Sequence, residues 1–262
     1  MSQKKTFREL KEMSKFQLKG KRLILIAAYI LINIISGIGQ LPLQIISPIM
    51  QHTEFAPIMV IIYIIAYLFT LAITFLIFLI SVGHIKMYLD LVIGKEPDIE
   101  SLLYGFKNKP WRTILTFVLM SLIVILIAAP FLAISTGAAV YFIISAESTT
   151  TALAIIAGII MIVGFIGYVV VITILSLAFS QIIYLLVDLP NYSAIQILKL
   201  SNKIMKGNKW RLIGLQLSFI GHFLLGLITC GLYFFYFLPY YNTTMANFYM
   251  SIMNENNQQN IN

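Results

Sequence analysis

Four long stretches of apolar residues dominate the chain, and short polar segments separate them. The stretches cover about residues 23–46, 56–82, 113–144 and 152–187, and none of them contains a charged residue. A helix needs about 20 mostly apolar residues to cross a hydrocarbon core roughly 30 Å thick. Each stretch therefore predicts a transmembrane helix, and the chain is expected to be all-α.

The apolar region from residue 212 to residue 253 is less regular. Its first part, 212–228, has about the minimum length for crossing, and its second part, 231–253, contains Pro239 and several polar residues. The region is compatible with one span followed by an interfacial helix, or with two spans joined by a tight turn. Hydropathy favours five spans in the whole chain, whereas a repeat within the sequence favours six.

The repeat surrounds the two tryptophans of the chain. Lys107-Asn-Lys-Pro-Trp111-Arg112 and Lys206-Gly-Asn-Lys-Trp210-Arg211 each follow an amphipathic pattern and precede an apolar stretch, and residues 10–23 resemble the second segment. A surface helix, a basic junction and an apolar hairpin thus occur three times. The repeat predicts a polytopic bundle of six transmembrane helices in three hairpins, forming one membrane domain over residues 1–253, with a disordered polar tail at 254–262.

The distribution of charge predicts the orientation of these helices. All 18 Lys and Arg residues lie in three segments, with eight before residue 23, five in 86–112 and five in 199–211. Cytoplasmic loops of membrane proteins are enriched in Lys and Arg. We therefore expect a multi-pass membrane protein with all three basic segments and both termini on the cytoplasmic side. The connections expected outside carry only the acids Glu54 and Glu147.

The composition excludes several classes of protein. Hydrophobic residues make up 60% of the chain and charged residues 11%, against roughly 45–50% and about 25% in soluble domains. A soluble enzyme is excluded, and so is a nucleic-acid-binding module, because the basic residues lie between long apolar stretches. The single cysteine, Cys230, excludes an internal disulfide and a multi-cysteine metal site. The sequence contains no nucleotide-binding or metal-binding pattern, so we predict neither a cofactor nor a metal.

The three polar segments that precede the hairpins predict amphipathic surface helices. Thr6-Phe-Arg-Glu9 has the spacing of a capping box, Pro97 is expected to begin the second helix, and Gly207 is expected to follow the third. Lysine-rich amphipathic helices lie at the headgroup level of a bilayer. The apolar face of the third helix comprises Ala194, Ile197, Leu198, Ser201, Ile204 and Met205.

These segments supply candidate contacts for anionic lipid headgroups, because Lys and Arg clusters beside a span attract anionic lipid and tryptophans anchor at the interface. The lysines are equally what topology alone requires, and both hypotheses stay open. The candidates are Trp111, Arg112, Lys199, Lys203, Lys206, Lys209, Trp210 and Arg211.

Polar residues within the apolar regions are the other candidates for function, because polar groups inside a membrane are costly. Four lie in the C-terminal region and would have to line a cavity in a transporter: Gln216, His222, Asn242 and Asn247. An intramembrane enzyme would instead require His84, Asp90 and Asp188 to converge at the inner face. For all of these, ordinary hydrogen bonds between helices are the competing explanation.

Several segments together resemble a known family. They are Gly83 with Tyr88, Tyr104-Gly-Phe106, Ser201-Asn-Lys-Ile-Met205-Lys-Gly207, Leu217-Ser-Phe-Ile-Gly221, Leu238-Pro239-Tyr240 and Phe248-Tyr249. The chain is similar over nearly its whole length to the bacterial integral-membrane family catalogued as domain of unknown function 975, in which a tryptophan usually stands at the position of His222. It resembles, more distantly, the membrane portion of some glycerophosphodiester phosphodiesterases. The resemblance implies a six-helix cytoplasmic-membrane protein without assigned biochemistry, and it supplies no catalytic residues.

Three functions follow as hypotheses. The first is a non-catalytic accessory that engages the lipid bilayer, through anionic headgroups, or a membrane-protein partner through its basic helices. The second is a small-solute or peptide transporter or exporter, including a protein that confers tolerance to a membrane-active peptide. The third is an intramembrane lipid-modifying enzyme.

Overall fold

The computed structural model describes residues 4–52, 57–146 and 151–259, and every regular element in this part of the chain is a helix. A 3₁₀-helix, Ile99–Leu103, lies between the third and fourth α-helices. The α-helices are α1 (Phe7–Gln17), α2 (Arg22–His52), α3 (Pro57–Val92), α4 (Tyr104–Lys107), α5 (Pro110–Ala146), α6 (Thr151–Phe179), α7 (Ile182–Asp188), α8 (Ala194–Met205), α9 (Lys209–Leu217), α10 (Ile220–Ile228) and α11 (Leu232–Gln259).

Four helical segments are long and apolar enough to cross a membrane, and they correspond to the first four predicted spans. They are Arg22–Ile49, Pro57–Val92, Pro110–Ile144 and Ala152–Asp188. Helix α2 packs on α3, and α5 packs on α6. Most of their large apolar side chains remain exposed, as is typical of helices that face lipid. Glu54 and Glu147 lie outside the described residues.

The prediction of six spans is not supported. Helices α9 and α10 meet at a bend of 42° and together could make a fifth span, whereas α11 is not among the helices that could cross. The described helices therefore supply four spans, or at most five. Helix α11 also continues to Gln259, so that residues 254–259, which the sequence predicts as disordered tail, are helical. Residues 260–262 of that tail lie outside the described residues.

The buried core lies at one end of the molecule, which we call the basic end. The ends of α3 and α7 and the beginnings of α2, α5 and α9 meet there, together with α1, α8 and the second half of α11. Its largest fully buried side chains include Tyr88, Phe219, Phe237, Phe248 and Tyr249. The protein thus packs against itself at the basic end and leaves its four long helices largely uncovered.

Burial of the middle of α11 depends on how its polar groups are satisfied. The hydroxyls of Thr243 and Thr244 donate to the carbonyls of Pro239 and Tyr240, one turn earlier. A buried hydroxyl without such a partner would cost about 1–3 kcal/mol. Because these bonds form within the helix, a segment of modest hydropathy can be surrounded by protein.

The predicted surface helices pack against protein. Helix α1 begins with the predicted capping box, formed by Thr6 and Glu9. The helix packs mainly against α11. Its Leu10 is fully buried among residues of the core. All six residues of the predicted α8 face are buried, against α5, α6 and α7. The second segment is a 3₁₀-helix followed by the short α4, and Ile99 and Leu103 are exposed. The prediction of a continuous amphipathic helix in this segment is therefore wrong.

Candidate functional site

The two tryptophans predicted as interfacial anchors are both exposed at the basic end. Trp111 is 74% exposed at the start of α5, and Trp210 is 82% exposed at the start of α9. Large aromatic side chains are rarely left this exposed in water, but they are common at membrane interfaces. Their exposure is compatible with contact to lipid headgroups.

The two arginines beside them are engaged within the protein. The guanidinium of Arg112 donates to the carbonyls of Leu186, Leu189 and Tyr192, at 2.7, 2.8 and 3.0 Å. These carbonyls lie at and beyond the end of α7, where a helix leaves its last carbonyls without partners. Arg112 therefore holds α5 to the end of α7 and is not a free headgroup contact.

Arg211 forms an ion pair that is largely buried. Its Nη1 donates to both carboxylate oxygens of Glu255, at 2.8 and 3.1 Å, and its Nη2 donates to the carbonyl of Lys5. The side chains of Arg211 and Glu255 are 13% and 12% exposed. This pair joins the start of α9 to the end of α11.

The four candidate lysines of the third basic segment lie close together in the sequence, at positions 199, 203, 206 and 209. Lys199, Lys203 and Lys206 are exposed and Lys209 is half-buried, and none has an acidic partner among the described residues. In the other two segments several basic residues are paired with acids: Arg8 with Glu12, Lys21 with Glu96, Lys86 with Asp90 and Lys107 with Glu100. Basic residues without an acidic partner among the described residues also occur in the first two segments, and those of the third segment lie within eleven positions, 199–209.

Two of these lysines line a polar pocket, which we call the lysine pocket. It has a volume of about 250 Å³, and the sequence did not predict its third lysine, Lys4. Lys4 comes from the chain before α1, some 200 residues from the others, so no local pattern could have identified it. The lining residues are Lys4, Lys203, Ile204, Lys206, Gly207, Asn208, Ile252, Glu255 and Asn256.

Gly207 shapes the wall of the lysine pocket. Its φ of +88° lies in the left-handed region, which glycine adopts without a steric penalty. The glycine lets the chain turn sharply from the end of α8 into α9, so that Lys203 and Lys206 share one cavity with Asn208. The predicted role of Gly207 as the residue after α8 is in agreement with this turn.

The four polar candidates of the C-terminal region have separate partners. Gln216 donates to the hydroxyl of Tyr241, at 3.3 Å, and Nδ1 of His222 lies 2.7 Å from the hydroxyl of Tyr233. His222 also stacks on Phe237. Each side chain is bonded to a neighbouring helix, as the structural interpretation expects.

Asn242 and Asn247 likewise bond to other helices. Asn242 lies 3.5 Å from the hydroxyl of Tyr88. Asn247 is buried and donates to Ser14, at 2.9 Å, and to Gln17, at 2.7 Å, while Gln17 donates to the carbonyl of Val92. This network, which the sequence did not predict, connects α1, α3 and α11.

The three candidates for an intramembrane enzyme also contact different groups. Asp90 is paired with Lys86, at 2.6 Å, and Asp188 accepts a hydrogen bond of 2.7 Å from Tyr249. His84 lies edge-on to Tyr88. Within the described residues there is no group of three or more His, Cys, Asp and Glu side chains that could hold a metal ion.

A second cavity lies between α3, α5 and the α6–α7 segment and has a volume of about 350 Å³. Its walls are almost entirely apolar and include Phe78, Met120, Ile172 and Phe179. Such a lining suits hydrocarbon better than a polar solute.

These features define a helical protein with several spans of membrane-crossing length and a packed basic end. The chain matches, over residues 1–256, the family described as "Protein of unknown function (DUF975)", and it belongs to that family, as the resemblance predicts. The more distant similarity to glycerophosphodiester phosphodiesterases is not shown. Searches of curated proteins and of solved structures find no significant match.

Proposed function

We propose that this chain is a four-span protein of the bacterial cytoplasmic membrane whose basic end binds anionic phospholipid without catalysing a reaction. In this arrangement both termini face the cytoplasm, and α9, α10 and α11 form a re-entrant hairpin that enters the bilayer from the cytoplasmic side and returns to it. The proposal therefore has two parts, the topology and the lipid binding.

The re-entrant hairpin is supported by the contacts between α11 and α2. The guanidinium of Arg22, the first residue of α2, lies 4.0 Å from the ring centre of Tyr236, and the rings of Tyr29 and Phe235 are 6.3 Å apart. Residues 235–236 are therefore level with the first two turns of α2. At 1.5 Å per residue, these two contacts place the turn at 229–231 about 9 to 18 Å beyond Arg22, which is well short of a hydrocarbon core roughly 30 Å thick.

The single cysteine of the chain lies in this turn. Labelling of this natural cysteine therefore tests the topology, and no cysteine has to be introduced. Cys230 is exposed. In a six-span protein it would lie at the outer surface and react with a membrane-impermeant thiol reagent in intact cells. In the re-entrant arrangement it reacts only with a membrane-permeant reagent. Glu147→Cys in a Cys230→Ser background provides the positive control for outer labelling.

Two further measurements complete the topology test. A reporter fused after Met253 is expected to be cytoplasmic, and a periplasmic reporter would favour five spans. A fluorophore on Cys230 should be quenched more strongly by a nitroxide at the centre of the acyl chains than by one at the headgroup. Labelling of Cys230 from outside would overturn the re-entrant hairpin, whatever the reporter shows.

Lipid binding is supported by one observation above all: four lysines beside the exposed Trp210 have no acidic partner among the described residues. A lysine near the surface of an anionic membrane contributes about 1 kcal/mol of attraction. These four lysines lie within eleven positions, 199–209, directly before Trp210. Several positive charges so close to one exposed tryptophan favour a role in binding lipid, beyond their contribution to topology.

The test compares anionic and zwitterionic lipid around the same tryptophan. A Trp111→Phe variant leaves Trp210 as the sole fluorophore in reconstituted vesicles, and brominated phosphatidylglycerol or brominated phosphatidylcholine quenches it on contact. We expect several-fold preferential quenching by the anionic lipid, which declines as salt increases. Equal quenching by the two lipids would overturn the lipid-binding function and leave topology as the role of these lysines.

The matched control separates this patch from total charge. Replacing Lys199, Lys203, Lys206 and Lys209 by Gln should abolish the preference. Replacing Lys19, Lys95, Lys107 and Lys109 by Gln removes the same number of charges from the other two basic segments. This second variant should retain most of the preference, and an equal loss in both variants would contradict a localised site.

A further inference from the structure

Three lysines from two distant parts of the chain converge on the lysine pocket. Lys4 precedes α1, Lys203 lies in α8 and Lys206 follows it, while Ile252, Glu255 and Asn256 of α11 form the opposite wall. All three lysines are exposed, and none has an acidic partner among the described residues. Three lysines that line one cavity give it a positive potential, which favours binding of an anion.

The acidic residue in the wall does not neutralise these lysines. The carboxylate of Glu255 accepts two hydrogen bonds from Arg211 and one, of 3.1 Å, from the hydroxyl of Ser251. Its charge is therefore balanced by Arg211, and the pocket keeps the three positive charges of its lysines. A ligand of one or two negative charges matches this excess.

We infer that the lysine pocket binds the phosphate group of an anionic phospholipid headgroup. Besides the lysine ammonium groups, the side-chain amides of Asn208 and Asn256 lie in the wall, and amides and ammonium groups both donate to phosphate oxygens. At about 250 Å³ the cavity is smaller than a pocket for a drug-sized ligand, which suits a headgroup better than a whole lipid. Trp210, two residues beyond Asn208, would remain at the interface beside it.

This inference rests on the proposed lipid binding but assigns it to a defined site. The ligand chemistry is phosphate, which a lipid headgroup or a free phosphate ion could supply. The probes are therefore dioctanoyl-phosphatidylglycerol, dioctanoyl-phosphatidylcholine and inorganic phosphate, each titrated into the full-length Trp111→Phe protein in a non-ionic detergent. Trp210 emission reports binding.

Saturable binding of dioctanoyl-phosphatidylglycerol, with much weaker binding of the zwitterionic lipid, is expected. Lys4→Gln with Lys203→Gln and Lys206→Gln should weaken binding of the anionic lipid by about a hundredfold, since each of the three lysines contributes roughly fivefold. The control variant, Lys19→Gln with Lys95→Gln and Lys109→Gln, should change the affinity for the anionic lipid by less than about threefold. Lys203→Arg with Lys206→Arg keeps both positive charges, and this variant should still bind the anionic lipid.

The remaining outcomes identify the source of the phosphate or reject the site. If inorganic phosphate binds alone with comparable affinity and displaces the lipid, the pocket is a phosphate site whose ligand is the free ion. If the triple variant binds the anionic lipid as the wild type does, the pocket is not the site. If that same variant also keeps its lipid preference in vesicles, lipid binding by the basic end stands and only its assignment to the pocket fails.

Discussion

Arg211 and Glu255 lie 44 residues apart in the chain, and their side chains meet at 2.8 Å with almost no access to solvent. Arg211 stands at the start of α9 and Glu255 near the end of α11. The pair therefore closes the α9–α11 segment on itself at the basic end. It also balances the one acidic side chain of the lysine pocket, so that its integrity bears on both proposals.

Replacing Glu255 by Gln should destabilise the protein by about 2–4 kcal/mol. The substitution leaves the guanidinium of Arg211 buried without its counter-charge, which is the costly way to break such a pair. The thermal midpoint of the detergent-purified protein measures the loss. Glu12→Gln, which breaks the exposed Arg8–Glu12 pair, is the matched control and should leave the midpoint nearly unchanged. Equal thermal midpoints for the two variants would contradict a stabilising role of the Arg211–Glu255 ion pair.

Asn247 is expected to hold α1 in place. Asn247→Leu would leave Ser14 and Gln17 without their amide partner in a buried site, at a cost of about 2–3 kcal/mol. The same substitution at the exposed Asn254 of the same helix provides the control. Limited trypsin digestion should cut after Lys11 and Lys15 faster in the first variant than in the second. Wild-type cleavage rates in Asn247→Leu would argue against the network as the attachment of α1.

Gly83 and Gly105 are required by close contact between backbones. A Cβ at Gly83 would overlap the carbonyl oxygens of Ser101 and Leu102, and one at Gly105 would overlap that of Leu79. Gly83→Ala or Gly105→Ala should therefore cost about 2–3 kcal/mol, through displacement of the segment between α3 and α5. Gly137→Ala, where a Cβ meets open space, should cost nothing. Thermal midpoints of the three variants distinguish the outcomes.

Ionisation of the buried Tyr249 hydroxyl is expected to lower the stability of the protein at alkaline pH. Burial, and next the charge of Asp188, raises the pKa of Tyr249 above the value of about 10 that it has when unfolded. The stabilisation is therefore complete below pH 10 and is lost as the pH rises further. Tyr249→Phe should lower the free energy of unfolding at pH 7 by about 1–2 kcal/mol, because a hydrogen bond is lost. Its thermal midpoint should fall less steeply above pH 10 than that of the wild type. Tyr236→Phe, at an exposed ring of the same helix, is the control. Parallel profiles for Tyr249→Phe and wild type would refute this assignment.

The first four spans were predictable because a helix that crosses a bilayer needs a long apolar segment of known length. Local signals were also predictable where the chemistry involves neighbouring residues. The capping box of Thr6 and Glu9 is present, and Gly207 ends α8 with a positive φ. The apolar face of α8 was identified from helical spacing alone, because residues at that spacing must share a side of the helix.

The C-terminal segment was not predictable in the same way. Residues 231–253 contain enough apolar residues to suggest a span, yet α11 is surrounded by α1, α3 and α8 over much of its length. Its threonines bond within the helix and its Asn247 bonds to α1. Hydropathy measures only the preference for leaving water, and a lipid tail and a protein core satisfy that preference equally.

The lysine pocket shows the same limit for the candidate site. Lys203 and Lys206 were identified as candidates from their position beside a span, but Lys4 and Asn256 join them only because α1 and α11 meet at the basic end. Arg112 and Arg211, which looked equivalent to the lysines in the sequence, are engaged by carbonyls and by Glu255. Which charges remain free depends on which chain segments approach them.

The amino-acid sequence by itself determined that this protein has long lipid-compatible helices and that its basic residues belong to three segments, since both properties follow from composition along the chain. Only the tertiary structure decided what covers each amphipathic face and which lysines lack a counter-charge. The reason is physical: burial and ion pairing are properties of contacts between distant segments, and those contacts arise when the helices pack.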